Sequence, residues 1–145
     1  MPRLGLFRPL ALAALVLLAA GCSEISTRVL PQADLGKYKR VFVEQRLTDT
    51  TGVAEEIARE LRGMGYDATA GARTMMVPAT DLIVTYDDLW AWDFNTYLVE
   101  IDVQVRLARG EKILAVGHYS KPSMVFGHPP AAMIHELIAK VFKHA

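Results

Sequence analysis

From Thr96 to Ala108 the chain reads TYLVEIDVQVRLA, and its alternation hardly breaks. Tyr97, Val99, Ile101, Val103, Val105 and Leu107 fall on one side, with Glu100, Asp102, Gln104 and Arg106 on the other. A period of two over this length belongs to a β-strand with one dry and one wet face. Such a strand cannot stand alone: it needs paired neighbours, and its dry face needs a covering layer.

The neighbours are legible on either side. Asp81 to Trp92 (DLIVTYDDLWAW) precedes it, and Lys112 to Ser120 follows a turn at Arg109-Gly110-Glu111, which predicts a three-stranded antiparallel meander. Lys39 to Gln45 (KRVFVEQ) reads as a first strand, with Val41 and Val43 opposite Phe42 and Glu44. Tyr66 to Ala70 forms at most a brief strand. The covering layer comes from two amphipathic stretches. Asp49-Thr50-Thr51-Gly52 offers capping groups before a helix from Val53 to Met64, whose stripe is Val53, Ile57, Leu61 and Met64 and whose other side carries a Glu55–Arg59 pair. Gly127-His128-Pro129-Pro130 precedes a second helix over Ala131 to His144, with Ile134, Leu137, Ile138 and Val141 as its stripe and Met133 and Phe142 beside it. Strands and helices together predict an α+β two-layer sandwich: a mainly antiparallel sheet with two helices on one face.

The N-terminus is of a different kind. Leu10 to Ala20 (LALAALVLLAA) is an unbroken apolar run after Arg3 and Arg8, too short to span the ~20 residues of a membrane helix. A basic start, a short apolar core and small residues make a secretory signal over residues 1–21. Leu18-Ala19-Ala20-Gly21-Cys22 then resembles the lipobox of bacterial lipoproteins, with Ala19 standing where leucine is most usual. The resemblance implies cleavage between Gly21 and Cys22 and lipidation of the Cys22 thiol. Several acyl chains at ~0.8 kcal/mol per buried CH₂ hold a protein on a bilayer where one holds it marginally. Ser23, where many inner-membrane lipoproteins carry aspartate, implies the outer membrane, periplasmic face, with the lipid as the membrane contact. Residues 22–36, with Pro31 and Gly36, read as a tether of up to ~50 Å, and 37–145 as one domain.

Ala33-Asp34-Leu35-Gly36-Lys37-Tyr38-Lys39 ahead of the first strand, the Asp81–Trp92 strand and the Trp-Asp-Phe after it resemble small Gram-negative envelope lipoproteins of uncharacterised-domain families. The layout is similar, more distantly, to auxiliary lipoproteins of envelope transport and assembly machines. That resemblance bears on location and fold more than on activity, and an envelope protein is the partner expected.

Charge narrows the partners. Sixteen Lys+Arg balance sixteen Asp+Glu, but Arg3 and Arg8 belong to the acid-free leader, so the remainder is acidic by two charges. A faintly acidic body gathers no phosphates, which argues against nucleic acid. Cys22 is the one cysteine, so neither an internal disulfide nor a cysteine-based metal cluster can form.

Chemistry-bearing residues are sparse. Asp87, Asp88 and Asp93 lie near Trp90, Trp92 and Phe94, but regular alternation sends Asp87 and Asp88 to opposite faces, and no calcium-loop spacing occurs. A two-residue turn at Phe94-Asn95 would set Trp92 opposite Tyr97 and Trp90 opposite Val99, both as core; a one-residue slip would make the rings an exposed platform. Asp88, Trp90, Trp92 and Asp93 are therefore the candidate binding surface. His118 reaches the face of Asp88 if both hairpins are tight, an acid–base pair without a nucleophile beside it. Neither a catalytic set, a resident metal nor a cofactor loop is expected. The leading expectation is a non-enzymatic lipoprotein that binds or assists another envelope component. The alternatives are a small periplasmic hydrolase or metal-dependent enzyme, and a lipid- or glycan-binding module.

Overall fold

The computed structural model describes residues 23–31, 33–121 and 128–143. The leader, Gly21 and Cys22 lie outside the described residues. In chain order the elements are β1 (Glu24–Val29), β2 (Arg40–Glu44), α1 (Val53–Gly63), β3 (Asp67–Gly71), β4 (Leu82–Asp93), β5 (Asn95–Leu107), β6 (Ile113–Ser120) and α2 (Pro130–Lys143). Six strands form one mixed sheet in the order β1-β6-β5-β4-β2-β3. β1, β6, β5 and β4 pair antiparallel, whereas β2 runs parallel to both β3 and β4. This is the α+β sandwich expected, with a parallel β2-α1-β3 unit added to the meander.

Both helices bury their stripes against the same sheet face. Ile57, Leu61, Ile134, Leu137 and Val141 join Val41, Val43, Val84, Val103 and Val105 in one core cluster. Tyr66 and Phe142 meet edge to face at 5.2 Å between ring centroids, and Glu60 reaches His135 Nδ1 at 2.6 Å across the helix pair. On α1, Arg59 pairs with Glu56 and Arg62 with Glu55 at 2.5 Å, in place of the Glu55–Arg59 pair expected from spacing. Phe42 and Ile83 are also buried, although alternation turns them to the opposite face.

The segment expected to be a tether is part of the fold. Glu24 to Val29 pairs with Ser120 to Ala115 as the sheet's edge strand, and Leu35, in a one-turn 3₁₀ helix capped by Asp34, is fully buried. The physical reason lies in Ile25, Thr27 and Val29: three β-branched residues alternate with Glu24, Ser26 and Arg28 and cover the outer side of β6. Ordered pairing begins two residues after Cys22.

Candidate functional site

The β4–β5 hairpin is longer than the strands around it. Register runs Leu89↔Glu100 and then Trp90↔Leu98, so Val99 is an extra residue on β5. This bulge bends the hairpin and reverses which residues of β5 face the helices. Leu98 is buried with Ile101, Val103 and Val105, while Tyr97 and Val99 are only partly covered. The Val99 carbonyl accepts the Lys121 N–H at 3.0 Å, which ties the bulge to the end of β6.

The turn is tighter than the two-residue Phe94-Asn95 turn expected: Asp93 pairs with Asn95, and Phe94 alone lies between them. Trp92 stands opposite Thr96 and Trp90 opposite Leu98, not Tyr97 and Val99. Trp90 is half-buried against the edge of the core. Trp92 is 74% exposed, so it does not take the core position expected of it. Its neighbour at the tip is Phe94, 89% exposed and in the left-handed region at φ 59°, while Leu89, 55% exposed, lies four residues back from the turn. The Trp92 and Phe94 rings lie 6.2 Å apart, tilted by 38°.

The three carboxylates of this strand do not converge. Asp88 accepts from Trp90 Nε1 at 2.5 Å and from Arg46 at 2.9 Å, which fixes its charge at the end of the core. Asp87 faces the other way, largely exposed, within 3.3 Å of the same guanidinium. Asp93 is exposed at the tip. Beside Asp88, Tyr86 donates its hydroxyl to Asp49 at 2.7 Å, and Asp49 also accepts backbone N–H groups of Gly52, Val53 and Ala54 at the start of α1. Burial pushes the Asp49 carboxyl up, but these four donors outweigh it and hold the pKa at about 2. Burial and the Asp49 carboxylate together push the Tyr86 phenol up.

A second arrangement crosses the sheet face opposite the helices. Ser26, His118, Asp102 and Asp87 stand in one row over four strands. They line a shallow groove of about 400 Å³ with Arg28 and Gln104. His118 Nδ1 bonds Asp102 at 2.8 Å, so the histidine's acidic partner is Asp102 and not Asp88, which lies on the helix side. Glu100 joins them: one ligand atom from each of Glu100, Asp102 and His118 lies within 4.8 Å of the others. The order serine–histidine–aspartate suggests a proton relay. The row is held by the ladders of β1, β6, β5 and β4, with Ser26 on the edge strand. The geometry provides a polar, half-exposed groove. Sequence reasoning missed the row because Ser26 lies in the stretch taken for a tether.

No family model matches the sequence, and no relative is found among curated proteins. Solved structures share its fold. A PelC dodecamer from Paraburkholderia phytofirmans is similar at TM-score 0.55 and 12% identity, with 83% of this chain and 94% of that one covered. A DUF4136 family protein from Bacteroides thetaiotaomicron VPI-5482 is similar at TM-score 0.55 and 9% identity, over 84% and 95% of the two chains. The fold is thus one that an uncharacterised-domain family also uses, in line with the resemblance drawn from the residues. Among the described residues no helix is long and apolar enough to cross a membrane.

Proposed function

We propose that this chain is a periplasmic lipoprotein anchored through Cys22 to the outer membrane, non-enzymatic, whose domain binds or assists another envelope component. The observation that carries the reading is the junction itself. A leader and a Gly21-Cys22 lipobox stand directly before an edge strand that starts at Glu24. Acylated there, the domain hangs from the bilayer by its sheet edge, and the polar face of Ser26, Asp102 and His118 stays open for a partner. Helices cover the other face, so this is the sheet surface left for recognition.

Fractionation of cells producing Cys22→Ala tests the anchor. The variant is expected as uncleaved precursor or as soluble protein, and globomycin-type inhibition of lipoprotein signal processing is expected to leave the wild-type precursor intact. Normal cleavage with tight membrane association of Cys22→Ala would exclude a lipid anchor. Site-specific photocrosslinking from Ser26 in intact cells tests the partner face, and an adduct with one envelope protein is the result expected.

A further inference from the structure

The anchor and the aromatic hairpin tip share one end of the sheet. Glu24, Ser120, Glu100 and Leu89 form a single row across β1, β6, β5 and β4. Beyond that row, on the same side, lie Ser23, which follows Cys22 in the sequence, and the hairpin from Trp90 to Leu98. Three strand spacings of ~4.8 Å separate β1 from β4, so the two features stand roughly 14 Å apart laterally. Four strand steps of about 3.4 Å carry the tip roughly 13 Å past the row, whereas the chain from Glu24 to Cys22 reaches at most ~7 Å. With the strands along the bilayer normal, the tip reaches roughly 6 Å deeper than the acylated residue, within the ~5–10 Å at which interfacial elements bury apolar groups.

We propose that the β4–β5 tip is a second membrane contact, with Trp92 and Phe94 seated in the interfacial layer of the bilayer that holds Cys22. This rests on the lipid-anchor reading above. The side chains suit the depth. An indole and a phenyl, with Leu89 behind them, are the exposed apolar groups of the hairpin, and tryptophan favours the headgroup level because its ring is apolar and its N–H is polar. The exposed Asp93 beside them turns to the headgroups and makes an uncharged lipid surface the better occupant. Because ordered pairing begins at Glu24, little slack is available to hold the tip away.

The experiment uses the mature lipidated full chain in vesicles of phosphatidylcholine and phosphatidylethanolamine, with and without bromine on the lipid chains near the headgroup. The chain has two tryptophans, so Trp90→Phe leaves Trp92 as the reporter and Trp92→Phe leaves Trp90 as the control. Emission of Trp92 should be blue-shifted and roughly halved by brominated lipid, with Trp90 little affected. The mass of the N-terminal peptide reports acylation of Cys22 independently. An acylated chain whose Trp92 emission is water-like and unquenched overturns the tip contact and leaves the anchor standing. A chain without acyl groups overturns the anchor and this proposal together. Blue-shifted but unquenched emission that depends on protein concentration would assign the tip to a second copy of the chain and likewise overturn it.

Discussion

Asp49 ties the start of α1 to β4 through its carboxylate. It closes the first turn of α1 by accepting three backbone N–H groups and anchors Tyr86 of β4 at the same time. Its carboxyl titrates at about 2 in the fold against an ordinary 3.8, so the native state binds fewer protons than the unfolded chain between those values. The stabilisation is therefore complete above about pH 4 and is lost as pH falls towards 2. Asp49→Asn should lower stability by about 1–2 kcal/mol at neutral pH and flatten the fall in melting temperature between pH 4 and 2. An acid limb as steep as wild type's would show that other carboxylates carry it. Gly117 sets a different limit. A Cβ there would lie 2.5 Å from Val141 Cγ2 and 2.9 Å from Leu137 Cδ1, so α2 sits directly on the bare backbone of β6. Gly117→Ala should cost about 1–3 kcal/mol in chemical denaturation. Asp49 was legible in the sequence as one of the capping groups of Asp49-Thr50-Thr51-Gly52, four residues before the helical stripe begins at Val53. Gly117 was not, because nothing local shows which strand a helix will press upon.

Elements were legible where their periodicity was long and obscured where one residue changed it. The pattern in β5 places Val103 in the core, 1% exposed, and Gln104 on the open face. Val103→Asp should accordingly be strongly destabilising, as an unpaired buried charge is, and Gln104→Asp mild. Comparable melting shifts for the two would contradict the assigned faces. At Val99 the same alternation misleads. An inserted residue leaves the letters alternating while the strand beyond it turns over, which is how Leu98 and not Tyr97 comes to be buried. Trp90 and Trp92 consequently differ. Trp90→Ala should cost about 2–3 kcal/mol through lost packing and the lost bond to Asp88, and Trp92→Ala no more than ~0.5 kcal/mol, both read by thermal melting. β1 did carry a signal, Ile25-x-Thr27-x-Val29, but only six residues long and beside Pro31. β3 carried almost none: Asp67-Ala68-Thr69-Ala70-Gly71 is small and weakly β-forming, and its place at the sheet's far edge follows from the return path of α1.

At the scale of the whole molecule, the proposed anchor makes the distance between Cys22 and the first paired residue decisive. A free tether would let an acylated domain wander, whereas, on the proposed anchor at Cys22, pairing from Glu24 would make the tip's encounter with the bilayer intramolecular, with an effective concentration set by a two-residue link. Lengthening that link isolates the effect. An insert of about twelve Gly and Ser residues between Ser23 and Glu24 adds roughly 20 Å of root-mean-square reach and changes neither the lipobox nor the hairpin. Acylation and membrane fractionation should stay as in wild type, because they depend on residues 1–23, which the insert leaves in place. Quenching of Trp92 by brominated lipid should fall, and should fall further with a longer insert, as the local concentration of the tip at the surface declines. Quenching independent of linker length would mean that the aromatic tip holds the bilayer by its own affinity. The short junction would then have no part in orienting the domain.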